Sequence, residues 1–194
     1  EIGTGQLRLC KGVRYANTDI KCILFDPIKA FTDEISSFCE SRCIRNITIN
    51  NCAIYDYDGN VDIYDHLEAT SIVGINNPSF QSGDKDGYIN AKANKGVISV
   101  PCFRMSHFDD GDIDILFVDT EGSEWFILKH LISRPYFISI ETHMHIYVNP
   151  YIDKINKWMS INGYSLCRKT ESDSHFVLNS VLDLARIAKL DLNV

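Results

Sequence analysis

The sequence has no long hydrophobic run: nothing in its 194 residues approaches the roughly 18 consecutive apolar positions of a membrane-spanning helix. It is also short of basic charge, with 19 Lys and Arg against 26 Asp and Glu and a net charge of −7. Long nucleic acid is usually held by a basic face, because phosphate neutralisation supplies most of the affinity, so no nucleic-acid partner is expected. No Cys-x-x-Cys pair occurs among the seven cysteines, which removes the signature of a zinc ribbon or a thioredoxin-like redox site. Odd in number and scattered, the cysteines do not read as a disulfide framework, and a reducing, cytoplasmic setting is expected. Cys39 and Cys43, four positions apart beside Phe31, Ile35 and Phe38, are expected as small buried hydrophobes on one helix face.

What is present suits a globular protein of one domain: 45 % hydrophobic and 23 % charged residues. That balance excludes a disordered tail, a collagen-like fibre and a coiled coil. Strand and helix patterns alternate. Residues 21–27 (KCILFDP) are a continuous apolar run ended by Asp-Pro, the mark of a buried strand, and residues 28–43 carry helical spacing. Residues 46–54 are rich in β-branched side chains and predict a strand, with Asp58-Gly59 as a hairpin signal before a short strand at 61–64. Residues 76–96 hold Pro, Gly, Asn and Asp with little periodicity and are expected as a mobile insertion loop, a lid or binding segment. Strands follow at 97–101 and 113–119. A helix then opens at Glu121-Gly122-Ser123 with Trp125, Leu128, Leu131 and Ile132 on one side. A strand at 136–141, a helix at 151–161 stopped by Asn162-Gly163, and a strand pair at 164–169 and 175–179 complete the chain. The alternation predicts an α/β three-layer sandwich over a mostly parallel sheet, one domain across residues 1–194.

In open α/β sheets, ligands sit beyond the carboxyl ends of the strands, where four polar segments fall: residues 1–5, 26–27, 119–121 and 141–145. In the first, Gly3-Thr4-Gly5 lets the backbone turn tightly and approach a ligand. Asp26 lies 21 residues beyond Gly5 at a strand end, the spacing at which an acid hydrogen-bonds ribose hydroxyls. The same residue could instead cap the helix after it. A dinucleotide fingerprint needs a third glycine at position 8, where Arg8 stands. That glycine serves packing around a pyrophosphate, which S-adenosylmethionine does not have. The sulfonium and ammonium of S-adenosylmethionine ask for nearby carboxylates, and Glu1 and Asp119 are the candidates. The loop therefore favours S-adenosylmethionine over NAD.

Residues 113–141, IDILFVDTEGSEWFILKHLISRPYFISIE, resemble the FkbM-type S-adenosylmethionine-dependent methyltransferases. The family's Asp-x-Glu-Gly-x-Glu element is matched by Asp119, Glu121, Gly122 and Glu124. Its vLk helix is matched by Ile127-Leu128-Lys129 and its strand-ending acid by Glu141. EIGTG resembles the family's first motif, which implies that Glu1, Gly3 and Gly5 bind the cofactor. LFDP resembles its Glu-Pro acid and implies the same of Asp26 and Pro27; NNCAIYDYDGNVDIY resembles a further segment and implies it of Cys52 and Ala53. INGYSL with HFVLN resembles its closing hairpin. The resemblance covers nearly the whole chain, with two departures: Leu7 where another glycine is usual, and Phe117 where a lysine often sits. It implies a Rossmann-like class I methyltransferase fold, with a seven-stranded, mostly parallel sheet and an antiparallel last strand. The implied activity is O-methylation of a hydroxyl on a glycan or small molecule.

Methyl transfer from a sulfonium is an in-line displacement that needs the acceptor oxygen aligned and its proton taken. His143, two residues past Glu141, is the first candidate for the base, since histidine titrates near neutral pH. Asp119 and Glu121 are the others, if burial raises their basicity. Asp119, Glu121, Glu141 and His143 could also surround a divalent cation, although spacing alone does not ask for one and no metal is expected. Tyr147, Tyr151 and Trp158 could line an acceptor groove, with packing as the simpler role. Two other functions share these features: an NAD-linked oxidoreductase, and a non-catalytic domain that keeps the fold for interaction. Because the sequence given opens on the glycine motif, further chain is expected before Glu1.

Overall fold

The computed structural model describes residues 1–64, 71–72, 97–144 and 147–187. The insertion loop expected at 76–96 and position 145 of the last polar segment lie outside these residues. The apolar run at the start of the chain forms β1 (Cys22–Phe25), parallel to β2 (Ile47–Asn50). Between them runs α1 (Lys29–Ser41), with Phe31, Ile35 and Cys39 buried at the i, i+4, i+8 spacing of one helical stripe. Leu24 of β1 packs with Ile35 and Cys39. Cys43 does not join them. The helix stops at Ser41, and Cys43 stands exposed in a left-handed turn at φ +54°.

The strand expected over 46–54 breaks at Asn51, whose side-chain amide donates to the carbonyls of Asp26 (3.0 Å) and Pro27 (3.1 Å). The chain then enters a second sheet of β3 (Ala53–Ile54), β4 (Gly59–Tyr64), β5 (Ser71–Ile72) and β6 (Val97–Phe103), in the order β3-β6-β4-β5. Asp58-Gly59 therefore closes no hairpin, because β6 lies between β3 and β4. Asp58 instead accepts the backbone N–H and the guanidinium of Arg104, each at 2.8 Å, just past β6.

Next comes β7 (Ile115–Val118), then the short α2 (Glu124–Lys129) and β8 (Phe137–Glu141), parallel to β7. The helix is shorter than predicted. The N–H groups of Ile132 and Ser133 donate to Asp109 at 2.6 and 2.8 Å instead of continuing the helical ladder. Leu128 and Leu131 are buried as expected, but Ile132 is turned out. A two-residue pair, β9 (His143–Met144) and β10 (Tyr147–Val148), leads to α3 (Ile152–Ile161), which ends at Asn162 before Gly163 at φ +76°. The closing strands are β11 (Tyr164–Lys169) and β12 (Asp173–Leu178). Asn179, expected in a strand, opens a helix that the sequence did not announce, α4 (Asn179–Ile187).

The larger sheet has the order β11-β12-β8-β7, and β12 is antiparallel to both its neighbours. Ile2 links it to the β1–β2 pair by bridging Phe25 and Val118 in parallel. Ile2 N–H donates to Phe117 O at 2.9 Å, and Ile2 O accepts Asp119 N–H at 3.0 Å. On the other side Phe25 N–H donates to Glu1 O, and Gly3 N–H to Phe25 O, both at 3.0 Å. The expected seven-stranded sheet is thus corrected to small mixed sheets. Ile2 bridges β1 and β7, and Gly3 at φ +78° then turns the chain away from them. The three-layer expectation is met in part. Ile127, Leu128, Ile155 and Met159 of α2 and α3 pack on Leu116, Val118, Ile138 and Ile140. The opposite face is covered by α1 beside β1, whereas Ile115 of β7 is 45 % exposed. No helix among the described residues is long and apolar enough to cross a membrane.

Candidate functional site

The carboxyl ends of β1, β7 and β8 and the turn after Ile2 open onto one cavity of about 300 Å³. Its apolar wall includes Phe31 of α1 and Ile63 and Ile72 of the second sheet. The turn is built for glycine. A Cβ on Gly3 would lie 1.7 Å from the carbonyl oxygen of Asp119, and Gly5 is also left-handed at φ +58°. Asp26 pins this turn. Its Oδ2 accepts the N–H of Gly5 at 2.9 Å and the Thr4 hydroxyl at 3.3 Å, while Oδ1 accepts the N–H of Ile28 at 2.9 Å ahead of α1. Burial pushes the Asp26 pKa up against the pull of these donors. Glu1 acts in a similar way. Its carboxylate accepts the N–H groups of Lys11 (3.0 Å) and Gly12 (2.7 Å) at the start of a 3-10 turn, Gly12–Tyr15. Leu7, at the position of a usual glycine, donates its N–H to Glu34 at 3.1 Å.

The turn after β7 is strained. Glu121 takes φ +54°, followed by Gly122 at +107°, and the left-handed conformation costs a non-glycine residue roughly 1–2 kcal/mol. Glu124 holds it there. Fully buried, its Oε1 accepts the N–H groups of Thr120 (2.9 Å) and Gly122 (3.1 Å) and the Thr120 hydroxyl (3.1 Å). Its Oε2 accepts the side-chain amide of Asn149. Glu124 therefore clamps the loop and does not itself line the cavity.

Asp119, Glu121 and Glu141 do line it, and one carboxylate oxygen from each lies within 4.8 Å of the others. Burial first, and then mutual repulsion, drives the pKa of Glu121 and Glu141 upward, furthest for Glu141. Burial also raises that of Asp119, with Lys11 acting against the rise. Lys11 is itself paired with Asp173 at 3.7 Å.

Every residue expected at the cofactor lines this cavity, Cys52 and Ala53 included, as do Asp119 and Glu121 of the expected catalytic set. His143 is not among the lining residues. Its Nε2 donates to the Thr170 carbonyl at 3.0 Å, and its Nδ1 meets the Thr142 hydroxyl at 2.7 Å. Glu141, which the sequence offered as a strand-ending acid and a possible cation ligand, also lines the cavity. Ile63 and Ile72 gave no signal, because the second sheet brings them in. Trp158 stacks on Tyr164 at 5.8 Å and Tyr151 meets Phe126 edge-on at 5.1 Å, both as packing.

The chain matches the methyltransferase FkbM domain family over residues 5–166. It is similar to a methyltransferase FkbM from Methylobacillus flagellatus KT, known from a crystal structure, at 14 % identity and a TM-score of 0.48. The similarity covers 80 % of this chain and 36 % of that one, so this chain spans about a third of that protein's length. No curated protein matches it.

Proposed function

Since the chain belongs to the methyltransferase FkbM domain family, we propose that it is an S-adenosylmethionine-dependent O-methyltransferase acting on a hydroxyl of a glycan or small molecule. The observation that carries this reading is one cavity joining the glycine turn and Asp26 on one side to a cluster of carboxylates on the other. The order β2-β1-Ile2-β7-β8-β12-β11, with β12 reversed, supports a class I methyltransferase sheet. When bound, S-adenosylmethionine supplies an electrophilic methyl group. Gly3 and Gly5 allow the backbone close to it, where a side chain on Gly3 would fill the space. Asp26 Oδ1 accepts one hydrogen bond from the protein and keeps a lone pair for a ribose hydroxyl. Glu1 and Asp119 add negative charge beside a cationic cofactor.

The acceptor's proton is assigned to the Asp119–Glu121 pair, which lines the cavity, rather than to His143, whose ring is held by Thr142 and Thr170. A pre-placed base contributes mainly in the transition state. The seven cysteines are all free thiols, which suits the reducing, cytoplasmic setting we assign.

Calorimetric titration with S-adenosylmethionine and S-adenosylhomocysteine tests the proposal. Both should bind at one site, and Asp26→Ala should weaken them roughly tenfold or more, the size of one charge-assisted hydrogen bond. Failure of both ligands to bind, or saturation by NAD without S-adenosylhomocysteine, would overturn it.

A further inference from the structure

Among the described residues one buried side-chain oxygen has no hydrogen-bond partner, Oε2 of Glu141. Glu141 is 4 % exposed and lines the cavity. A buried polar atom without a partner costs about 1–3 kcal/mol, and more when charged; in a folded protein such an atom points to a water or ion that satisfies it. No described residue sends a donor to it. Lys11, the one basic side chain among the cavity's described lining, is engaged with Asp173. What approaches Glu141 is further negative charge, the carboxylates of Asp119 and Glu121. Three carboxylates this close repel one another unless they are protonated or share a counter-ion.

We infer that Asp119, Glu121 and Glu141 together bind one divalent cation of the hard, oxygen-seeking class. An all-carboxylate donor set selects Ca²⁺, Mg²⁺ or Mn²⁺ over softer metals. Size separates these further. Oxygens on opposite sides of an ion lie two metal–oxygen distances apart, about 4.6–5.2 Å for Ca²⁺ and about 4.0–4.2 Å for Mg²⁺. Oxygens that all lie within 4.8 Å of one another fall within the span of the looser Ca²⁺ coordination sphere, and the compact Mg²⁺ sphere tolerates less spread. Three protein ligands also leave coordination positions for a ligand oxygen. On the methyltransferase reading, that oxygen is the acceptor hydroxyl, made more acidic by the ion, and its proton passes to the second carboxylate oxygen of Asp119 or Glu121, the one not used on the ion. The catalytic role rests on that reading; the binding of the ion does not.

Mn²⁺ serves as the spectroscopic probe, added to the whole chain and followed by loss of the free-ion electron paramagnetic resonance signal. One ion per chain should bind with a dissociation constant below about 1 mM, and Ca²⁺ should displace it more effectively than Mg²⁺. Glu141→Gln and Asp119→Asn, each checked by its thermal melt, should weaken binding at least about tenfold. The exposed control Glu40→Gln should leave it unchanged. S-adenosylhomocysteine affinity is measured in parallel with EDTA and with Mn²⁺. No Mn²⁺ bound by the wild-type chain, or equal binding by a folded Glu141→Gln, overturns the inference. If S-adenosylhomocysteine still binds in that case, the methyltransferase reading stands without the ion. If Mn²⁺ binds and S-adenosylhomocysteine does not, the ion site stands and the reading falls.

Discussion

A methyl group on Gly3 would sit 1.7 Å from the Asp119 carbonyl oxygen, in a backbone already left-handed at φ +78°. Gly5 differs. It is left-handed too, but its nearest obstacle is the flexible end of Leu9 at 3.6 Å. Gly3→Ala should therefore cost more than about 3 kcal/mol, combining overpacking with backbone strain, while Gly5→Ala costs roughly 1–2 kcal/mol from strain alone. Urea unfolding of the two variants checks the order, and equal losses would contradict it. The sequence showed that glycines belong in this turn but not which one is indispensable, because the obstacle to Gly3 comes from Asp119, far along the chain. The same limit applied at the end of β8. Glu141 and His143 look alike as polar residues at a strand end. Only the fold shows that Glu141 enters the cavity while the ring of His143 is taken up by Thr142 and Thr170.

Elements were legible where a single run decides them and obscure where a distant side chain does. The apolar runs of β1, β7 and β8 and the stripe of α1 emerged close to expectation. The end of α2 did not, since it is set by Asp109. That carboxylate is buried and accepts the N–H groups of Gly111 (2.9 Å), Ile132 and Ser133 and the hydroxyl of Ser133. Burial alone would raise its pKa, but these donors outweigh it and hold the group below its ordinary value. Because the folded value lies under the unfolded one, the stability Asp109 contributes is complete above about pH 4 and lost as pH falls through the folded pKa. Asp109→Ala should lower stability at pH 7 by about 2–4 kcal/mol by stranding several buried donors. It should also shrink the gap from wild type as pH falls below about 4. Urea midpoints measured across that range check both statements, and a gap that widens in acid would refute the assignment.

On the scale of the whole molecule, the two parts of the main sheet meet at Ile2. The hydrogen bonds around that residue and a shared apolar core, in which Phe25 and Val118 both take part, span the junction. The cavity lies across the same line, with Asp26 on one side and Asp119 on the other. A ligand that touches both sides couples them. At about a hundred times its dissociation constant it adds roughly 2.7 kcal/mol to the folded state. Saturating S-adenosylhomocysteine should accordingly slow amide exchange at Gly3, Phe25 and Asp119 by up to about a hundredfold, as read by hydrogen–deuterium exchange. Unchanged exchange at those amides, with ligand demonstrably bound, would place the ligand on one side only. Occupancy of the cavity thus sets how far the two sides behave as one unit. With ligand stitched between Asp26 and Asp119, the two sides must come undone together.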